Sequence, residues 1–200
     1  MSTPVSGVPI NQSEIEWRLP YRGTIGMGCL ILAESAVFII FVVAYVYYLG
    51  KSLNGPTPSQ VLELPILGTI CLLSSSVTAH LAVSALRKGN LRSCTANLAG
   101  TVLLGLIFLC TTAREWYHLI HDEHLTIKTN LFGTTYYALV GLHATHVVIG
   151  LVLLFTAFVF ALAGRVKEEH LEKLDVLSIY WHFVDAVWVV VFLVVYVLGR

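Results

Sequence analysis

The sequence predicts an all-α integral membrane protein, a bundle of five transmembrane helices. Three observations carry that prediction. Only 12% of the 200 residues are charged and 56% are hydrophobic, with a mean hydropathy of +0.79; a soluble domain carries about 25% charged residues. Five apolar stretches approach about 20 residues, the length at which a helix rising about 1.5 Å per residue covers a hydrocarbon core of about 30 Å. Four of them nevertheless hold ionisable groups: Glu34 in the first, His80 in the second, His143 and His146 in the fourth, His182 and Asp185 in the fifth. A charge at the bilayer centre costs roughly 2.5–3.5 kcal/mol on insertion scales, so such groups face a protein interior.

Composition also narrows the function. A formal net charge of zero argues against a nucleic-acid partner. Cys29, Cys71, Cys94 and Cys110 lie in or beside the spans without a Cys-x-x-Cys, so they read as small apolar filler, not as a disulfide framework or a thiolate metal site. The polar start of the chain lacks a short apolar core before a small-residue cleavage site, and no cleaved signal peptide is expected.

Residues 1–23 are polar and contain Pro4, Pro9 and Pro20; they read as an extended arm at the membrane surface, and residues 24–200 as one five-helix membrane domain. The first span is expected over about Thr24 to Leu49, which places Glu34 about 15 Å in, near mid-bilayer. Phe38, Phe41, Tyr45 and Tyr48 follow it at helical spacing and share its face, forming a packing stripe. Asn54, Gly55, Pro56 and Pro58 turn the chain. The second span, about Pro65 to Leu86, carries Ser74, Ser75, Ser76, Thr78 and Ala79. Small and hydroxylated residues let helices approach closely in lipid, so this helix should be well covered, with His80 a hydrogen-bonded interior histidine.

A basic turn from Arg87 to Arg92 leads into a third span, about Thr95 to Thr112. His118, His121 and His124 follow at spacing three. On an ideal helix each step leaves an offset of about 60°, so the outer two diverge by about 120°, and one tetrahedral zinc would be hard to satisfy. An interfacial amphipathic turn is the better expectation. The fourth span runs from Gly133 to Gly164. The fifth, about Leu177 to Leu198, places Trp181, Asp185 and Trp188 on one face.

Orientation follows from the basic residues. Eight fall on the side of the N-terminal arm (Arg18, Arg22, Arg87, Lys88, Arg92, Arg165, Lys167, Lys173) and four on the other (Lys51, Arg114, Lys128, Arg200). Positive charge favours the cytoplasm, so the N-terminus is expected inside and the C-terminus outside.

The residues alone leave three classes open. A haem protein needs imidazoles presented from different helices, which His80, His143, His146 and His182 could in principle supply, although His143 and His146, so close on one helix, cannot by themselves sandwich a haem plane. A transporter is compatible with buried Glu and His, but the chain has neither an inverted repeat nor a broken helix pair. A packing subunit, whose buried polar groups fix helix register or bind lipid head groups, leads. No nucleotide-binding glycine loop, Ser/His/Asp grouping or Cys/His metal signature is present, and no catalytic, cofactor-binding or metal-ligating residue is assigned.

Several motifs resemble subunit III of the haem–copper oxidases, the cytochrome c oxidase type. Gly26-Met27 with the Ala33-to-Phe38 run, Ser74 to His80 with Ala85-Leu86-Arg87, and Glu115-Trp116-Tyr117 each look like family segments. The two longest likenesses are residues 130–150, NLFGTTYYALVGLHATHVVIG, and residues 180–188, YWHFVDAVW. The likeness spans about Gly23 to Leu198, with five spans as in the short bacterial form. Ala144-Thr145 between the histidines and Ser35-Ala36 in the first span depart from the usual residues.

The resemblance implies a non-catalytic subunit without a redox centre of its own, in the inner membrane of a bacterium. Its partner would be the catalytic subunit I, holding haem and copper, within an aerobic proton-pumping oxidase using cytochrome c. It would stabilise that core, support its proton uptake and bind phospholipid. The third subunit of a quinol oxidase and the accessory subunit of a nitric oxide reductase are the alternatives within the fold, and a small transporter is the alternative outside it. The family's carbodiimide-reactive glutamate corresponds to Glu34. An unpaired buried carboxylate is costly, so His143 or His146 on a facing helix is its expected partner. Lipid phosphate is expected near Arg87, Lys88, Arg165 and Lys173, with Trp181 and Trp188 beside the acyl chains.

Overall fold

Among the described residues there are six α-helices, and five of them are long and apolar enough to cross a membrane. The computed structural model describes residues 22–52, 58–62, 64–166 and 170–199; the expected arm falls almost entirely outside these residues. The spans are α1 (Arg22–Tyr48), α3 (Ile66–Arg87), α4 (Leu91–His121), α5 (Leu131–Leu162) and α6 (Leu171–Phe192). A single turn, α2 (Pro58–Val61), precedes α3, and a π-helical segment over Leu193–Leu198 continues α6. No strand occurs among the described residues.

The helix ends follow from local chemistry. Asn90 and Asn130 cap α4 and α5 by accepting from the backbone N–H of Ser93 at 3.0 Å and Gly133 at 2.8 Å, satisfying donors that the first helical turn leaves orphaned. Gly89 and Gly164, with φ of 70° and 66°, stop α3 and α5 in the left-handed conformation that a side chain disfavours.

Two spans differ from their expected extents. The third was expected over about Thr95 to Thr112, but α4 runs 31 residues from Leu91 to His121, and the segment expected as an interfacial turn continues it. No proline interrupts those residues, and charged side chains change what the helix faces, not its backbone. The fifth span starts six residues earlier, at Leu171.

α3 packs on α4, α4 on α5, α6 against α1, α3 and α5, and α1 against α5 and α6. α6 is the most enclosed span and α1 the least. Close approach comes from small residues: Ser75, Ala79 and Ala82 of α3 are buried. At the centre, Trp181 of α6 lies between Gly105 of α4 and Gly150 of α5. A Cβ at Gly150 would meet the indole at 2.8 Å, and one at Gly105 would meet it at 3.1 Å. Glycine is required at both positions because the ring occupies the space of the side chain.

Candidate functional site

The polar residues fall into three groups along the helix seams. The first joins α1 to α5. Glu34 Oε2 lies 3.2 Å from His146 Nε2, and His146 Nδ1 donates to the Leu142 carbonyl at 2.8 Å. The Phe38 ring covers the imidazole at 5.0 Å between centroids, and Tyr180 donates to the His146 carbonyl at 3.3 Å. Phe38 and Tyr45 of the expected stripe are buried, whereas Tyr48 is exposed. Glu34 is half-buried, not deeply enclosed, because α1 packs on one side only.

The sequence allowed either His143 or His146 to meet Glu34, and the structure places only His146 there. The two are three residues apart, and the offset of about 60° turns His143 inward. It is fully buried, stacked on Trp188 at 5.0 Å and edge-on to Phe108 at 5.9 Å. Neither ring nitrogen has a hydrogen-bond partner among the described residues.

The second group joins α3 to α6. Ser76 donates to Asp185 Oδ2, and its oxygen lies 2.9 Å from His182 Nδ1. His182 Nε2 is 3.2 Å from the Ser178 hydroxyl. Asp185 is buried, and its Oδ1 has no partner among the described residues. His80 lies outside this network. Expected as a hydrogen-bonded interior histidine, it is exposed, because the packed face of α3 is set by Ala79, Ala82, Val83 and Leu86 and His80 falls beside it. It lines a cavity of about 190 Å³ together with Ser178, His182, Arg87 and Asp175.

The indoles correct another expectation. Trp181 and Trp188 were expected beside lipid chains, but both are enclosed in the bundle, 0% and 1% exposed. Trp181 donates to Ser75 at 2.8 Å and Trp188 to Thr69 at 3.1 Å. An indole in a helix core needs such an acceptor for its N–H, and the hydroxyl-rich α3 supplies both. Among the basic residues, Arg87 is ion-paired with Asp175 at 2.9 Å, Lys88 is exposed at the end of α3, and Arg165 and Lys173 line a larger cavity of about 450 Å³ with Phe160, Leu174 and Leu177.

Sequence reasoning missed the third group. At the opposite end of the bundle, Tyr196 donates to Glu115 Oε1 at 2.8 Å and Tyr136 to the same oxygen at 3.2 Å. The π-helical segment widens the last turns of α6 and leaves both Val195 and Tyr196 buried; such a bulge re-aims side chains locally and has no periodicity signal. The nearby histidines act separately. His118 lies 3.6 Å from Asp122, His121 stacks on Tyr117 at 4.1 Å, and His124 lies beyond the end of α4. Among the described residues no three His, Cys, Asp or Glu side chains are placed to share a metal ion.

Chemically, these groups join one helix to the next through hydrogen bonds; the Ser76 hydroxyl contacts His182 but gives its hydrogen to Asp185. The sequence model described as cytochrome c oxidase subunit III matches residues 22–200. A cytochrome c oxidase subunit 3 of Alkalihalophilus pseudofirmus is 33% identical over 177 residues, covering 88% of this chain and 86% of its own length. One from Synechocystis is 33% identical, covering 86% of this chain and 74% of its own. A quinol oxidase subunit 3 of Bacillus spizizenii is 30% identical over 197 residues, covering 97% and 94%. With five spans packed around these polar pairs and a family match across all of them, the chain belongs to the cytochrome c oxidase subunit III family of the haem–copper oxidases.

Proposed function

We propose that this chain is the non-catalytic subunit III of a bacterial, proton-pumping aerobic oxidase, with cytochrome c as electron donor. It packs against the catalytic subunit I, which holds the haems and copper, stabilises it, and supports its proton uptake. The N-terminus lies in the cytoplasm and the C-terminus outside, in line with the basic residues at the Arg87 and Arg165 ends of the bundle. The observation that carries this reading is the family match over residues 22–200, joined to a polar interior spent on helix-to-helix contacts. Phospholipid binding is supported by the cavity that Arg165 and Lys173 share with apolar side chains: cations for a phosphate beside a wall for an acyl chain.

A second reading, subunit III of a quinol oxidase, is favoured by the Bacillus spizizenii relative, which covers 97% of the chain. One experiment addresses both. The chain is recovered through an affinity tag in mild detergent, with an optical spectrum and mass spectrometry of what accompanies it. Haem absorbance with a large many-helix partner supports the subunit reading, and a copper-containing partner subunit favours cytochrome c over quinol. A colourless chain without partners overturns it.

A further inference from the structure

The α3–α6 seam is polar along half its length, in a register that two helices supply together. On α6, Asp175, Ser178, His182 and Asp185 recur at steps of three, four and three, one per turn on a single face. On the facing α3, Arg87, Ser84, His80 and Ser76 recur at steps of three, four and four, running the opposite way. The pairing is fixed at both ends: Arg87 meets Asp175 at the rim, and Ser76 meets Asp185 inside. Ten residues of helix separate Asp175 from Asp185, about 15 Å of rise, or about half the hydrocarbon thickness.

This stripe connects a cavity to a buried acid. The cavity of about 190 Å³ has His80, Arg87, Asp175, Ser178 and His182 on its wall, and one water needs only about 10–15 Å³ of such space. From the cavity wall, hydrogen bonds run without a gap through Ser178, His182 and Ser76 to Asp185. Asp185 ends the chain with its second oxygen buried and unpartnered among the described residues. If its purpose were only to fix helix register, Ser76 alone would serve. An ionisable group at this depth, reached by an unbroken polar file, marks a proton pathway more readily than a packing contact.

We propose that Asp185 is a proton-exchanging site, loaded from the α3–α6 cavity through His182 and Ser76. The bookkeeping of hydrogens closes. Before loading, the Ser76 hydroxyl donates to the Asp185 carboxylate, its oxygen accepts from His182 Nδ1–H, and Nε2 accepts from the Ser178 hydroxyl. A proton taken up by the Ser178 oxygen from the cavity lets Ser178 pass its own to Nε2, Nδ1 then releases its proton to the Ser76 oxygen, and Ser76 gives its former proton to Asp185. Afterwards the acid donates to Ser76, Ser76 donates to Nδ1, and Nε2–H donates to Ser178. One proton has entered, every contact is retained, and no side chain has turned over. The titratable and charged groups along the file and its cavity are His182 and Asp175 on the same helix and His80 and Arg87 from α3. Glu34 of α1 is engaged by His146 at the neighbouring seam.

The test is pH-stepped infrared difference spectroscopy, with transfer from H₂O to D₂O, on the complex isolated through a tag on this chain. The parent should show a protonated-carboxyl band that rises and falls with pH, is lost in Asp185→Asn, and moves on transfer to D₂O. Ser76→Ala should slow that deuteration by about a hundredfold, the low end of what one positioned proton donor contributes, whereas Ser84→Ala, on the cavity wall but outside the file, should leave it unchanged. Where Asp185→Asn fails to assemble, Asp185→Glu supplies the assignment by moving the band. A band that neither titrates nor exchanges, or one whose exchange is untouched by Ser76→Ala, would overturn the proposal and leave Asp185 a sealed structural acid. Because the readout is a vibrational band and not turnover, this failure is distinguishable from failure of the subunit reading.

Discussion

Glu34 and His146 form one proton-sharing unit across the α1–α5 seam. The Glu34 Oε2 to His146 Nε2 separation is 3.2 Å, and the other ring nitrogen is already bound to the Leu142 carbonyl. A carbonyl only accepts, so Nδ1 carries a hydrogen, and the contact at Nε2 requires one further proton held by either partner. The pair is thus neutral as a whole, which is how an acid persists in a seam between two membrane-spanning helices.

Glutamine at position 34 keeps a donor for the imidazole and the shape of the side chain; alanine leaves His146 Nε2 unpaired. Glu34→Ala is expected to destabilise the chain by about 1–3 kcal/mol, the cost of an orphaned polar group, and Glu34→Gln by much less. Thermal melts of the detergent-solubilised complex, with the fraction of chain retained, check this. Equal loss in both variants sinks the hydrogen-bond account.

The glycines around Trp181 give a packing prediction. Gly150→Ala drives a methyl into a fully buried indole, 2.8 Å from its ring atoms, and overpacking of this kind costs about 1–3 kcal/mol. Gly26→Ala, where nothing lies within 4 Å, is the matched control and should be silent. The readout is the melting temperature of each variant in the same detergent; a silent Gly150→Ala would mean that α5 and α6 are less tightly docked than a 2.8 Å approach to the Trp181 ring requires.

Trp188→Phe and Trp181→Phe each remove one indole donor while keeping an aromatic ring. Each should cost about 0.5–1.5 kcal/mol for the lost hydrogen bond, plus the smaller packing volume. The double variants Trp181→Phe with Ser75→Ala, and Trp188→Phe with Thr69→Val, should show non-additivity that a thermodynamic cycle resolves. Strict additivity would show that these contacts contribute little.

Arg87 and Asp175 form an ion pair with 61% and 35% side-chain exposure, and exposed pairs contribute about 0–1 kcal/mol. Arg87→Ala should leave the melting temperature nearly unchanged, and a large drop would show that the pair is shielded in the assembled complex. Arg165→Gln with Lys173→Gln should instead lower the anionic lipid retained by the complex in native mass spectrometry, without moving the melt.

The number of spans, the membrane class and the choice of polar residues were legible in the chain itself. Hydropathy fixes how many helices cross, because burying about 20 apolar residues in hydrocarbon is a local decision that each segment makes alone. The alignment of Trp181, Asp185 and Trp188 on one face was legible for the same reason: helix period is set by backbone geometry. Which group each face meets is a different kind of fact. The choice of His146 over His143 for Glu34, the enclosure of Trp181 and Trp188 away from lipid, and the exposure of His80 depend on the angles at which neighbouring helices cross. The clustering of Glu115 with Tyr136 and Tyr196 depends further on a local widening of α6. Those relationships join residues between 21 and 119 positions apart. Only packing in three dimensions decides them, since in lipid helices associate through close van der Waals fit and interhelical hydrogen bonds, neither of which a single helix contains.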